Sequence, residues 1–344
     1  MPNADEFALI DIIKSVLPKT SERTELGIGD DAAVLRPTAL TISTAGAPLL
    51  AKKQLLCSDC MVEGIHFDLA LTSPKDLGYK AVAAALSDIA AMNGQPVAVT
   101  ISIALPKRES LNVEKFLRQF YEGVARLQHD LEPVIFDVVG GDLSASPQTI
   151  FIDVAVIGES TEPILRSGAK AGDTLAVSGF PGTSAAGLYG LQNWKTVKRM
   201  SGALTKAHTL PFPRFDLCVF LDSQSCHALI DISDGLASEA HHLAKSSGVH
   251  IEINEESIPR HPAAVALAEL ADPAAKEAAL KEWALYGGED YELLAAFAPQ
   301  IELPPGFTKI GRVLEANPRE PAVTLVTSSG AREPLSPRGY NHFA

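Results

Sequence analysis

Gly27–Leu35 reads Gly-Ile-Gly-Asp-Asp-Ala-Ala-Val-Leu: two glycines, then two adjacent aspartates, then an apolar run. Glycine lets the backbone adopt a positive φ or approach a ligand closely. Adjacent carboxylates repel each other unless a cation lies between them. The stretch alone also fits an ordinary surface turn, where glycine and aspartate are common. Its interpretation therefore depends on where else the chain repeats this chemistry.

Aspartates recur beside glycine or after short apolar runs along most of the chain. The apolar run Gln54–Ser58 leads into Asp59, and Pro133–Val139 leads into Gly140-Gly141-Asp142. The ends of strands are where α/β folds build ligand sites. The recurring acids are Asp30, Asp31, Asp59, Asp88, Asp142, Asp231 and Asp234. Since Mg²⁺ binds through a few carboxylates together with substrate phosphates, the pattern predicts a magnesium-dependent phosphate site.

One helix of the first half carries an aspartate in an unfavourable position. Ser73–Asp76 predicts the helix start, because Ser73 can cap it and Pro74 suits its first turn. Asn93-Gly94 predicts its end. Lys80 and Asp88 share one face, so Asp88 lies near the helix C-terminus. The helix dipole disfavours an anion there, a cost that a bound cation would offset.

The length and the order of the predicted elements bound the architecture. A chain of 344 residues with 46% hydrophobic content is expected to form about two packed domains. Apolar spacing predicts a helix over Glu6–Leu17, and predicted strands and helices then alternate. A polar, glycine-containing segment follows residue 158, so we expect an N-terminal domain over residues 1–160 and a C-terminal domain over residues 161–344. The predicted class is α/β (α+β).

Charge and hydropathy exclude several kinds of partner. The net charge of −13 disfavours nucleic acid, because phosphate backbones are bound by stripes of lysine and arginine. No apolar run reaches the roughly 18 residues of a membrane span. The N-terminal residues lack the basic and apolar regions of a signal peptide, so we expect a cytoplasmic protein.

Other catalytic motifs are weakly represented. Cys57 and Cys60 form one C-x-x-C, but Cys218 and Cys226 are too widely spaced to complete a zinc site, and reduced thiols are expected. No segment has the Lys-Ser/Thr of a P-loop or the Gly-x-Ser-x-Gly of a hydrolase elbow. Two-carboxylate glycosidase chemistry stays open, but it uses only two of the acids.

The order of the motifs resembles the thiamine-monophosphate kinase family, a branch of the aminoimidazole ribonucleotide synthetase-like superfamily. The resemblance covers nearly the whole chain. It is carried by Gly27–Ala32, Ser58-Asp59, Val62–His66, Leu86–Met92, Gly140–Asp142, Arg166–Asp173, Asp231–Leu236, Tyr286–Leu293 and Gly339-Tyr340.

The resemblance implies ATP-dependent phosphorylation of thiamine monophosphate to thiamine diphosphate. It implies a two-domain fold whose N-terminal sheet forms a homodimer interface, with several Mg²⁺ ions bound. By position, the implied metal ligands are Asp31, Cys57, Ser58, Asp59, Asp88, Asp142, Asp231 and Asp234. The implied ATP contacts are Gly141, Asp142, Arg166 and Ser233, and the implied substrate contacts are His66, Glu289 and Tyr340.

A few positions depart from the family pattern. Cys57 stands where the family has serine, and Asn341 stands where aspartate is common. Of the adjacent acids, we expect Asp31 to be the metal ligand and Asp30 to support it. No covalent nucleophile is expected, because an ionised acceptor phosphate can attack in line. The alternatives are another ATP-dependent synthetase of the superfamily and a non-catalytic nucleotide-binding protein.

Overall fold

The computed structural model describes residues 24–26, 30–36, 52–197 and 201–340. The predicted helix Glu6–Leu17, the glycines Gly27 and Gly29, and Asn341 lie outside these residues.

The first sheet has six strands in the order β1-β2-β3-β6-β4-β5. Only β4 and β5 pair in parallel; the other neighbours are antiparallel. Along β3 the buried Leu55, Cys57 and Met61 alternate with the exposed Leu56, Ser58 and Cys60, as expected of a strand with one face on the core. The strands are β1 Thr24–Leu26, β2 Ala33–Leu35, β3 Lys53–Val62, β4 Gln95–Pro106, β5 Asp137–Ser146 and β6 Phe151–Ser160.

Two helices accompany this sheet. Helix α1 spans Pro74–Ala91, and the Ser73 hydroxyl accepts a hydrogen bond from the Asp76 amide at 3.1 Å, as the sequence predicts. Helix α2 spans Val113–Asp130. Helix α1 packs across β3 and β6, and α2 packs on α1. Alanine-rich α1 is buried along most of its length, which fixes the side chains at both of its ends.

Glycine allows α1 and α2 to approach closely. A Cβ on Gly123 would lie 1.8 Å from the Lys75 carbonyl oxygen, which no backbone tolerates without moving. We expect Gly123→Ala to destabilise the fold by about 1–3 kcal/mol through overpacking. The melting temperature then falls by about 2–4 °C per kcal/mol. Gly202→Ala is the control, because no atom lies within 4 Å of its Cβ position. Equal melting temperatures for the two variants would contradict this close packing.

The second sheet has seven strands in the order β13-β12-β9-β11-β7-β10-β8. The strands are β7 Thr174–Ser178, β8 Cys226–Asp231, β9 Val249–Asn254, β10 Leu293–Phe297, β11 Phe307–Glu315, β12 Val323–Val326 and β13 Arg332–Pro334. The helices are α3 Thr183–Gln192, α4 Trp194–Val197, α5 Gly202–Thr209, α6 Phe215–Cys218, α7 Leu236–Ser247, α8 Pro262–Ala271 and α9 Lys276–Tyr286, with a 3₁₀ turn at Glu255–Ser257.

The two sheets occupy different parts of the chain, but their cores meet. Phe215, Cys218 and Tyr291 from the second half pack in the same cluster as the buried face of α1. The chain is therefore of mixed α/β class, and the boundary near residue 160 stays a prediction. No helix among the described residues is long and apolar enough to cross a membrane.

Two predicted strand ends are wrong. Strand β3 continues through Asp59 to Val62, because it pairs with β6 along its whole length. Strand β5 begins at Asp137, so Gly140–Asp142 lies in mid-strand, paired with β4. Asp59 and Asp142 therefore do not follow their strands; they are parts of them.

Candidate active site

Three carboxylates from different elements meet at one point. Asp31 precedes β2, Asp88 lies in the last turn of α1, and Asp231 ends β8. One oxygen from each lies within 4.8 Å of the others. The Ser87 hydroxyl donates a hydrogen bond to Asp231 Oδ2, which fixes that carboxylate against α1. This acidic cluster joins the two halves of the chain.

Burial and mutual repulsion raise the pKa values of these carboxylic acids. Burial, followed by Asp59, Asp231 and Asp31, raises the pKa of Asp88 well above its usual range. Burial and the neighbouring Asp231 and Asp153 raise the pKa of Asp59 to about 6. Asp59 lies on the core face of β3 and so belongs to the same electrostatic group. Such a cluster needs a cation if all its members are to be charged.

The residues present fit a hard divalent cation. Asp31 Oδ2 is buried and has no hydrogen-bond partner among the described residues, so a lone pair is left for a ligand. The donor set is all carboxylate oxygen, which Mg²⁺ prefers. In the metal-free chain, burial and the nearby Asp88 raise the pKa of the Cys57 thiol well above the usual range, so the thiol is neutral there.

Arg166 is the one cation paired with the Gly27–Leu35 stretch in the described residues. Its Nε lies 3.2 Å from Asp30 Oδ1, and its Nη2 hydrogen-bonds Asp31 Oδ1. Its backbone amide also donates to Asp30. All three side chains are nearly buried. Asp30 thus faces the arginine, while Asp31 faces both the arginine and the acidic cluster. The assignment of Asp31 as the ligand and Asp30 as its support stays a prediction.

Two other predicted metal ligands on β3 point in opposite directions. The Cys57 thiol faces the core and donates to the Ala85 carbonyl at 3.4 Å. The Ser58 hydroxyl faces the exposed side of the sheet and donates to Asp153 Oδ1 at 2.8 Å. The structure therefore does not bring the Ser58 hydroxyl to the acidic cluster of its own chain. Cys57 and Cys60 also lie on opposite faces, so the C-x-x-C cannot chelate one metal.

Gly141 and Asp142 lie apart from the cluster. Asp142 is exposed on the edge strand β5, opposite Ser102 of β4. Since β6 and β4 separate β5 from β3, Asp142 lies about 14 Å across the sheet from Asp59. A Cβ on Gly141 would lie 1.9 Å from the Ile101 carbonyl oxygen, so this glycine also has a packing reason.

The predicted substrate contacts His66, Glu289 and Tyr340 lie around the Ser233-Asp234 turn. The His66 and Tyr340 rings lie 6.4 Å apart between centroids. The Tyr340 amide donates to the carbonyl oxygen of Asp234, and the Glu289 amide donates to that of Ser233 at 2.7 Å. The Ser233-Asp234 turn therefore holds both Tyr340 and Glu289 in place.

Sequence reasoning missed a further acid. Glu239 is 3% exposed, and its Oε1 accepts a hydrogen bond from the Asp234 amide at 3.2 Å. Burial, followed by Asp234, Asp231 and Asp31, raises the pKa of Glu239 well above its usual range. The sequence signal for Glu239 was its position five residues after Asp234. There its side chain lies near the start of α7 and can accept a hydrogen bond from the backbone of the preceding loop.

Two comparisons with known proteins define the fold class of this chain. Residues 29–160 match the family model of the AIR synthase related protein, N-terminal domain. A hydrogenase maturation protein HypE, in a HypE–HypF complex, is 18% identical with a TM-score of 0.67 over 95% of this chain and 98% of that one, which shows a shared fold.

Nearer relatives define the branch. The thiamine-monophosphate kinase of Bacillus subtilis is 35% identical over 98% of this chain and 99% of its own. That of Aquifex aeolicus is 36% identical over 98% of each chain. The solved structure of AaThiL complexed with AMPPCP and TMP is 35% identical, with a TM-score of 0.80 over 98% of this chain and 97% of that one. The chain belongs to the thiamine-monophosphate kinase family.

Proposed function

We propose that this protein transfers the γ-phosphoryl group of ATP to thiamine monophosphate, giving thiamine diphosphate. The observation that carries the proposal is the cluster of Asp31, Asp88 and Asp231 beside the Asp59 carboxylate. Membership of the kinase family and the similarity to a structure with AMPPCP and TMP support it.

The chemistry explains why so many acids converge. Donor and acceptor are both phosphates, and two unit anions about 4 Å apart repel by roughly 4 kcal/mol at an effective dielectric near 20. Mg²⁺ held by Asp31, Asp59, Asp88 and Asp231 would supply the neutralising charge. The acceptor oxygen is already ionised, so the chain has to provide orientation rather than a strong base.

The remaining predicted residues take supporting roles in this proposal. Arg166 contacts the two aspartates through Nε and Nη2, and we assign its Nη1 to a phosphate oxygen of ATP. Ser233 and Asp234 lie on the turn between the cluster and Tyr340. His66, Glu289 and Tyr340 then orient the thiamine moiety, whose thiazolium ring is cationic.

The direct test is product formation. Purified protein with thiamine monophosphate, ATP and Mg²⁺ is expected to form thiamine diphosphate and ADP in equal amounts, and chelation of the metal is expected to stop the reaction. A folded protein, shown by its circular dichroism, that forms no thiamine diphosphate would refute the proposal. An acid-stable phosphoprotein intermediate would refute direct in-line transfer.

We also propose that two copies of this chain share their sites. The outer face of the first sheet exposes Leu56 and Ile157, which lie opposite each other across β3 and β6. The Asp142 carboxylate lies too far from Asp59 of its own chain to serve the same metal. A second copy covering this face would bury the apolar side chains and supply its own Asp142 to the first copy's site.

Subunit complementation tests this arrangement. Asp142→Asn and Asp88→Asn are each expected to be inactive as homodimers. After subunit exchange the mixture should regain about a quarter of the wild-type rate, because half of the dimers are mixed and each has one intact site. Light scattering would establish the dimer independently. A mixture no more active than its components would show that each site uses the Asp142 of its own chain.

A further inference from the structure

Lys80 is a fully buried lysine to which the proposed reaction assigns no role. It lies on α1, and its side chain is 0% exposed. Its Nζ forms an ion pair with Glu289 Oε1 at 2.7 Å, and it has no hydrogen-bond partner among the described residues. Burying an ammonium is strongly unfavourable unless an opposite charge lies beside it. The Glu289 carboxylate is therefore the counterion that allows Lys80 to be there.

The backbone at Glu289 is held in an uncommon conformation. Its φ is +62°, and that of Tyr291 is +52°. Positive φ is strained for a residue with a side chain, so the surroundings must stabilise this conformation. The Glu289 amide donates to the Ser233 carbonyl at 2.7 Å, and the Tyr291 amide donates to the Ile232 carbonyl at 2.9 Å. The backbone of the Glu289–Tyr291 loop is thus held by a hydrogen bond at each end, which fixes the position from which the Glu289 side chain extends.

The second oxygen of Glu289 has a neutral neighbour. His208 Nδ1 lies 3.4 Å from Glu289 Oε2 and 3.1 Å from the Ser184 hydroxyl. Burial, followed by the Lys80 charge, lowers the pKa of His208 to about 4, so its ring is uncharged at neutral pH. Among these contacts, Lys80 alone brings a positive charge to the carboxylate. The Glu289 side chain is still 26% exposed, so part of it remains open to a ligand.

We propose that Lys80 is a positioning residue: it aims the Glu289 carboxylate at the cationic heteroaromatic part of the phosphate acceptor. The proposal rests on the proposed function, in which Glu289 contacts the thiamine moiety. Lys80 reaches Glu289 from the other half of the chain, and the same helix carries Asp88 to the acidic cluster. Lys80 acts on the acceptor through Glu289, the carboxylate that its Nζ contacts.

A KM-against-kcat separation tests this role. Lys80→Met removes the charge and keeps an unbranched apolar chain of similar length. The KM for thiamine monophosphate is expected to rise about tenfold or more, as when a supporting partner of a ligand-binding group is lost. The kcat and the KM for ATP should stay within about threefold of wild type. An unchanged acceptor KM, or a fall in kcat alone, would overturn the proposal.

A double-mutant cycle shows whether the effect passes through Glu289. Glu289→Gln should raise the acceptor KM by at least as much as Lys80→Met, and adding Lys80→Met to it should change the KM little further. Independent, multiplying effects would mean that Lys80 acts by another route. Lys281→Met is the control, because Lys281 pairs with Glu255 at 3.0 Å and should leave both KM values unchanged.

A further measurement does not depend on turnover. The pKa of His208, followed by NMR, should rise in Lys80→Met because the neighbouring charge is gone. An unchanged His208 titration would contradict the observed proximity. Failure of the wild-type protein to form thiamine diphosphate would refute the proposed function, whereas an active wild type with an unaffected Lys80→Met refutes only the positioning role.

Discussion

Asp88→Asn lowers the rate of thiamine diphosphate formation by about a thousandfold, the expected loss when an electrostatic element of a phosphoryl-transfer site is removed. Asparagine keeps the shape of the side chain but lacks the charge that holds a divalent cation. One oxygen of Asp88 lies within 4.8 Å of one oxygen each of Asp31 and Asp231, so we expect its charge to act on the same cation as theirs. The measurement is a product assay at saturating ATP and Mg²⁺.

The same substitution stabilises the protein when no divalent cation is present. Burial raises the pKa of Asp88 from 3.8, so the folded chain holds that proton more tightly than the unfolded chain. The contribution of this group to stability is complete below about pH 4 and is lost as the pH rises through the raised pKa. At pH 8 without divalent ions, the variant should therefore melt above the wild type by about 2–4 °C per kcal/mol recovered.

Magnesium should reverse this order. It raises the melting temperature of the wild type by binding the folded state, and it should raise that of Asp88→Asn much less. Asp216→Asn is a control with a carboxylate outside the acidic cluster, paired with Arg214. Full activity of Asp88→Asn, or an unchanged response of its melting temperature to Mg²⁺, would exclude Asp88 from the site.

Arg166→Met destabilises the metal-free protein by about 3–5 kcal/mol, because it leaves two nearly buried carboxylates without their cation. Asp30 and Asp31 side chains are 3% and 6% exposed, so water cannot replace the guanidinium. Mg²⁺ should restore part of the lost stability by supplying charge beside Asp31. If Nη1 binds a phosphate of ATP, the KM for ATP also rises, while that for thiamine monophosphate changes less.

Arg108→Met provides the matched control. Arg108 makes a two-point pair with Glu63 and is 35% exposed, so its loss should cost about 1 kcal/mol or less. Chemical denaturation with and without Mg²⁺ compares the two variants. Equal losses of stability, unaffected by Mg²⁺, would show that Arg166 is an ordinary structural ion pair.

Local signals allowed α1 to be predicted from the sequence. Ser73 and Pro74 determine where the helix starts, and the spacing from Lys80 to Asp88 follows from helix geometry. The predicted ends of β3 and β5 are wrong. Pairing with strands that are distant in the sequence keeps polar residues such as Asp59 and Asp142 in the extended conformation, so each strand continues past its apolar run. The apolar residues of a single segment do not indicate how far it pairs with a distant strand.

The partners of the charged residues were beyond sequence reasoning for a similar reason. Arg166 lies 136 residues from Asp30 in the chain, and no local pattern joins them. Lys80 was assigned to the correct helix face, but its counterion Glu289 comes from a loop of the second half. Burial decides both cases, because a charge taken out of water must meet an opposite one, and only the folded chain shows which one is in reach.

Helix α1 also sets a length. Lys80 and Asp88 are eight residues apart on a rigid, buried rod, which separates their backbones by about 12 Å. If Glu289 binds one end of the acceptor and the acidic cluster binds the metal at its phosphate end, this separation determines how long the acceptor must be. A phosphate ester of a single small ring would reach one end only, so the spacing itself would select for an extended, two-ring acceptor.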